Sequence, residues 1–117
     1  MLETPENQFQ PFACDVMYVD EHAVATVRGE IDIATAPQLL REVLATLALP
    51  INHVTLDLGA VTFIDSSGLA ALTRAHADAE ARGINLILES VPDQARQVLD
   101  LTDLAQLFDI REAESEA

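Results

Sequence analysis

Apolar and polar positions alternate over two runs near the start of the chain, "ACDVMYV" (13–19) and "HAVATVRGE" (22–30), which meet at Asp20-Glu21. Alternation interrupted by a short polar break predicts two strands joined by a hairpin-like turn. The period then changes. In "TAPQLLREVLATLAL" (35–49), Leu39, Val43 and Leu47 form one stripe, with Leu40 and Leu44 beside it. That spacing predicts a helix with one buried face. Thr35 and Pro37 mark its start and Pro50 its stop. Alternation returns in "HVTLDL" (53–58), with Val54, Leu56 and Leu58 on one side and His53, Thr55 and Asp57 on the other. An Ala/Leu-rich run from Ser66 to Arg82 predicts a second helix, stopped by Gly83. "INLILES" (84–90) reads as a strand, "PDQARQVLDLTDLAQLF" (92–108) as one helix or two short ones, and "FDIRE" (108–112) as a last short strand.

Strands alternating with helices predict an α/β fold: a single domain with a mixed sheet of four to five strands and helices packed on it. The domain spans 13–111. Residues 1–12 hold two prolines and no periodicity, which predicts a flexible N-terminal tail. Residues 112–117, with Glu112, Glu114 and Glu116, read as an acidic C-terminal tail.

The junction "FIDSSGLAAL" (63–72) stands apart from this pattern. In α/β units, function gathers where a strand ends and a helix begins. The helix start offers unpaired N–H groups and the positive end of a dipole. Asp65, Ser66 and Ser67 are all residue types that cap such a start, and one would suffice. Gly68 then falls inside the first turn, at a cost of roughly 0.5–1 kcal/mol relative to Ala. A glycine there permits close approach to the backbone, and the helix N-terminus is a place where a phosphate could be held.

Composition narrows the function. Half of the 117 residues are hydrophobic, with four Phe, one Tyr and no Trp, so the core is aliphatic. Twenty acids face six basic residues, all arginine, for a net charge of -14. Such a surface repels nucleic acid and anionic lipid, and suits a basic protein partner. No apolar run approaches the ~20 residues of a membrane span, and the N-terminus lacks the charged and apolar regions of a signal peptide. The expected location is the cytoplasm, without membrane insertion. Cys14 is the only cysteine, so no internal disulfide or thiolate cluster forms, and it reads as a small buried hydrophobe.

No histidine stands at a spacing that identifies a catalytic base. His22 and His53 open strands, and His76 shares the Leu69/Leu72/Ala79 face of its helix. His53-x-x-x-Asp57 has no third ligand nearby, so no metal site is expected. The flanks of Ser66 and Ser67 do not form a G-x-S-x-G elbow, and no phosphate-binding glycine loop is present. Neither catalysis nor a cofactor is expected.

"VTLDLGAVTFIDSSGLAAL" resembles the central signature of the STAS domain family, of the anti-sigma factor antagonist type. Upstream, "VRGEIDIATAPQLL" resembles the family's G-E-x-D turn, and downstream "VPDQARQVLDLTDLAQLFDI" resembles its closing stretch. The three matches keep the family's order and cover roughly 13–111. The resemblance implies a binding switch rather than an enzyme. An unphosphorylated antagonist binds an anti-sigma factor that is also a serine kinase, which frees the sigma factor. Phosphorylation of the first serine after the Asp ends the contact, and a cognate phosphatase resets it. Carried over, the phosphoacceptor is Ser66. Asp32 matches an acid near the acceptor, Asp65 precedes it, Ser67 holds the second hydroxyl position, and Gly68 completes the motif. The free protein is then expected to be a monomer. A departure is the absence of lysine, common on the helices of small members. The alternative implied by the resemblance is a constitutive subunit of a transport or stress-sensing assembly, with Ser66 a static cap or contact. An enzyme using Ser66 as nucleophile would need a base and an oxyanion site that the sequence does not supply, and a nucleotide sensor would need a base-reading pocket.

Overall fold

The computed structural model describes residues 11–113. The elements are β1 (Ala13–Val19), β2 (His22–Ile31), α1 (Ala36–Leu47), β3 (His53–Ile64), α2 (Ser66–Ala81), β4 (Asn85–Glu89), α3 (Asp93–Leu101), a single 3-10 turn (Leu104–Gln106) and β5 (Asp109–Arg111). The five strands form one sheet in the order β1-β2-β3-β4-β5. β1 pairs antiparallel with β2, and every later pair is parallel. This is the α/β mixed sheet that the alternating pattern predicts.

One aliphatic core joins the sheet to the helices. Ala23, Ala25, Val27 and Ile31 of β2 and Val54, Leu56 and Leu58 of β3 are buried with Leu39, Val43 and Leu47 of α1, Leu72 of α2 and Leu99 of α3. Sequential parallel strands joined by crossovers of one hand place their helices on one face. The opposite face carries the polar set, where His22 Nε2 and the Thr55 hydroxyl lie 2.9 Å apart. His76 stands at the core's edge, its ring edge-on to Phe108 at 5.5 Å.

β3 runs six residues beyond the predicted Leu58, to Ile64. Its pairing with β2 shifts twice: Thr26↔Asp57 is followed by Arg28↔Ala60, and Gly29↔Val61 by Glu30↔Phe63. Each shift inserts one extra β3 residue, a β-bulge. The buried positions therefore change spacing from two to three, at Leu58, Val61 and Ile64. A period of three conceals a strand from any reading based on alternation. α1 and β4 are shorter than expected by one residue or more at each end, and the 92–108 stretch resolves into α3 and the 3-10 turn.

The expected tails fall largely outside the described residues, at 1–10 and 114–117. Phe12, placed in the tail by the sequence pattern, packs against the core. Cys14 is only partly buried, yet burial pushes its thiol up to about 11, with Glu42 and Asp15 adding to the rise. The folded state thus holds this proton more tightly than the unfolded chain, whose thiol titrates near 9.0. Its contribution to stability is full below pH 9 and is lost as pH rises from 9 towards 11. Alkylation of Cys14 in the folded protein at pH 8 is expected to be slower than in the denatured protein, by the deficit in thiolate. Timed mass spectrometry checks this, and equal rates would refute it.

Candidate functional site

β2 and β3 end together. Ile31 pairs with Ile64, and the Asp65 N–H donates to the Ile31 carbonyl at 3.1 Å. Asp32 and Asp65 each follow one of these isoleucines, so two acidic turns emerge side by side at the same end of the sheet. Both isoleucines are buried beneath them.

Asp65 is the N-cap of α2. Its Oδ1 accepts from the Ser67 N–H at 2.8 Å and the Gly68 N–H at 3.2 Å. Its carbonyl accepts from the Leu69 N–H at 3.0 Å. Of the three candidate caps, one performs the task. Among the described residues neither serine hydroxyl makes a hydrogen bond to the protein. Ser66 is exposed and Ser67 is half-buried. Because Asp65 already occupies first-turn N–H groups, the helix start offers an added phosphate less than the sequence suggests.

Asp32 holds the other turn. Its Oδ1 accepts from the Ala34 N–H at 2.9 Å and the Thr35 N–H at 3.1 Å. Thr35 stands at the start of α1 as expected, but its hydroxyl does not cap the helix. It donates to the Glu30 carbonyl at 2.8 Å and accepts from the Asp32 N–H at 2.9 Å. The Asp-x-x-Thr segment thus satisfies its own backbone and presents Ile33 at its tip, 78% exposed.

Gly68 permits a close approach, but the approach comes from inside the protein. A Cβ at this position would lie 2.5 Å from Ile64 Cγ1 and 2.7 Å from Ile31 Cγ2. Gly68 is buried, so its part is to seat the head of α2 on the strand ends rather than to touch another molecule.

The two serines face different grooves. Ser67 heads a groove of about 430 Å³ between α1 and α2, with Ile33, Pro37, Leu40 and Ala71 along it. Ser66 heads a second, of about 520 Å³, between α2 and α3, with Leu69, Thr73, Val98 and Leu104. Ala70 and Arg74 form the ridge between them. The Arg74 guanidinium lies 3.8 Å from Asp78 one turn on, in an exposed pair of small energetic value.

Pattern reasoning missed Gln94. β4 pairs with β3 only as far as Asp57↔Glu89, so the end of β3 lacks a strand on that side. Gln94, in the first turn of α3, fills the gap. Its Oε1 accepts from the Ile64 N–H at 3.2 Å, and its Nε2 donates to the Ile64 carbonyl at 2.9 Å. Its carboxamide imitates a strand neighbour, a role with no signature in sequence. Gln94→Glu keeps the acceptor but loses the donor, and sets a carboxylate against the Ile64 carbonyl. A loss of about 1 kcal/mol is expected, since a partly buried carbonyl is left unpaired. Urea unfolding reads this directly, and an unchanged midpoint would remove Gln94 from the site's support.

Comparison with known proteins places the chain in a family. The family profile of the STAS domain matches residues 15–117. The anti-sigma-B factor antagonist of Bacillus subtilis is 31% identical over 96 residues, covering 82% of this chain and 87% of the relative. The crystal structure of an anti-sigma factor antagonist from Mycobacterium paratuberculosis superposes with a TM-score of 0.73 at 28% identity, over 94% of this chain and 90% of that one. The Bacillus cell fate determinant SpoIIAA in its phosphorylated form shares the fold, with a TM-score of 0.70 at 20% identity over 90% of this chain and 93% of that one. The chain belongs to the STAS domain family.

Proposed function

We propose that this protein is an anti-sigma factor antagonist that works as a phosphorylation-controlled binding switch in the cytoplasm. It binds an anti-sigma factor serine kinase through the surface around the head of α2, and it catalyses no reaction itself. Phosphorylation of Ser66 releases the partner, and a cognate phosphatase restores binding.

One observation carries the switch. The Ser66 hydroxyl is exposed, makes no hydrogen bond among the described residues, and is set at the head of a groove beside an Asp65 whose carboxylate is already committed to the helix start. A phosphate brings about -1.5 to -2 charges. With Asp65 holding the Ser67 and Gly68 N–H groups, that charge projects from the docking surface instead of folding into the cap. The fold stays intact and the surface gains negative charge at the head of the groove.

The test uses the purified chain, the anti-sigma factor kinase of its host, and ATP. The expected result is a single phosphate, placed on Ser66 by mass spectrometry, and loss of the complex on gel filtration as phosphorylation proceeds. Phosphatase treatment restores the complex. A complex that survives full phosphorylation would make the chain a constitutive subunit, and a phosphate on Ser67 would move the switch to the α1–α2 groove.

A further inference from the structure

Among the described residues that line the two grooves beside α2, Arg74 is the only charged one. Every other lining residue is apolar or carries only a hydroxyl. The sign is unexpected in a chain with 20 acids, six basic residues and a net charge of -14. Asp32 and Asp65 stand at the same end of the sheet but line neither groove.

Arg74 sits on the ridge shared by both grooves, one turn after Ala70. Ala70 is too small to screen it. The Arg74 side chain is 62% exposed. Its pair with Asp78 spans 3.8 Å, too long for a hydrogen bond. Such an exposed pair is worth little and yields to a better acceptor. Neither end of the described chain reaches the α2–α3 groove. Ala13 opens the edge strand beyond β2, and Ala113 lines a hollow with His22 and Thr55 on the face without helices.

We infer, on the antagonist reading proposed above, that Arg74 receives an acidic side chain of the anti-sigma factor kinase. The kinase docks with an amphipathic segment whose apolar residues enter the α2–α3 groove and whose Asp or Glu pairs with Arg74. A guanidinium meets a carboxylate through two parallel N–H groups, and apolar walls exclude water from the pair. Arginines in such surroundings are frequent anchors of interfaces. The groove thus asks the opposite of what net charge asks: the chain as a whole suits a basic partner, and this site an acidic contact. A nucleic acid or an anionic lipid surface also offers anions, but it would meet one cation amid a surplus of acids. A single carboxylate on a protein segment meets Arg74 alone. Ser66 heads the same groove, eight residues and about 12 Å along the helix from Arg74. A phosphate on Ser66 therefore sets a second anion in the groove that holds the partner's acid, and like charges on the two proteins drive release without a change of fold.

The test is calorimetric titration of the host's anti-sigma factor kinase with the full chain and its Arg74→Lys, Arg74→Gln and Arg74→Glu variants. Arg82→Glu, exposed at the far end of α2, makes the same change of net charge away from the grooves and is the control. Arg74→Gln is expected to weaken binding about tenfold, equivalent to ~1.4 kcal/mol, and Arg74→Glu to weaken it further. Arg74→Lys keeps the charge without the fork and falls between wild type and Arg74→Gln. Arg82→Glu binds like wild type. The gap between wild type and Arg74→Gln narrows as salt is raised, as a charge pair requires and a packing contact does not. Circular dichroism checks each fold, and Arg74→Gln decides alone should Arg74→Glu unfold. Well-folded Arg74 variants that bind like wild type overturn the inference and leave the antagonist reading standing. Tighter binding by Arg74→Glu does the same, since it reveals a basic contact, as does an equal loss in Arg82→Glu, which reveals an effect of net charge. A wild-type chain that binds no kinase overturns the antagonist reading and the Arg74 contact with it.

Discussion

Ser66→Asp is expected to weaken binding of the anti-sigma factor kinase about tenfold or more, while Ser66→Ala binds it like wild type and accepts no phosphate. The argument is electrostatic. The exposed hydroxyl makes no hydrogen bond among the described residues, so its removal leaves α2 capped by Asp65 as before. An added carboxylate at position 66 stands next to Asp65 on a chain that already carries a net charge of -14. Two unit charges ~4 Å apart at an effective dielectric of ~20 repel by about 4 kcal/mol. Every ~1.4 kcal/mol is tenfold in affinity, so a third of that figure, met as the cost of desolvating a second carboxylate beside Asp65 at the interface, weakens a micromolar contact about tenfold. Titration calorimetry on the two variants and wild type reads the effect. Ser67→Ala, on the other groove, is the control and should bind like wild type. Equal affinity of the Asp and Ala variants would make Ser66 a static contact, the expectation for a constitutive subunit.

The element order was legible because most of the chain obeys one period at a time. Leu39, Val43 and Leu47 mark a helix, and Val54, Leu56 and Leu58 a strand, and all six are buried in one core. The end of β3 was not legible, since two bulges space Leu58, Val61 and Ile64 by three. The bulged segment delivers Asp65 and Ser66, as bulges often do beside functional sites. Within the site, residue types identified the junction but not the division of labour. Asp65, Ser66 and Ser67 are interchangeable as caps in sequence, and only the hydrogen bonds separate the cap from the two free hydroxyls. Gln94 lay beyond reach because its role depends on where β4 stops. Ile33 is a different case, since a large apolar residue between Asp32 and Thr35 has no periodicity to attract notice, and its exposure alone gives it meaning.

Gly68→Val is expected to cost more stability than any other substitution at the site. Glycine in a first turn is ordinarily improved by Ala, by roughly 0.5–1 kcal/mol. Here the space forbids it. The new Cβ would meet Ile64 Cγ1 at 2.5 Å, Ile31 Cγ2 at 2.7 Å and Ile64 Cδ1 at 3.0 Å. Ile31 is 0% and Ile64 1% exposed, and both are strand residues paired with each other, so neither can swing into solvent. Overpacking a full core costs typically 1–3 kcal/mol for added methylenes. Gly68→Ala is therefore expected to lower the unfolding midpoint despite its better helix propensity, and Gly68→Val, with two more methyls, to lower it further. Against a typical domain stability of 5–15 kcal/mol, Val at this position threatens the folded state itself. Both midpoints are read by urea unfolding, with Ala70, the exposed neighbour on α2, as the control: Ala70→Val lacks the clash and should lose far less. A raised midpoint for Gly68→Ala would show that the isoleucines yield, and would return the glycine to the role its sequence suggests, an opening through which another molecule reaches the backbone.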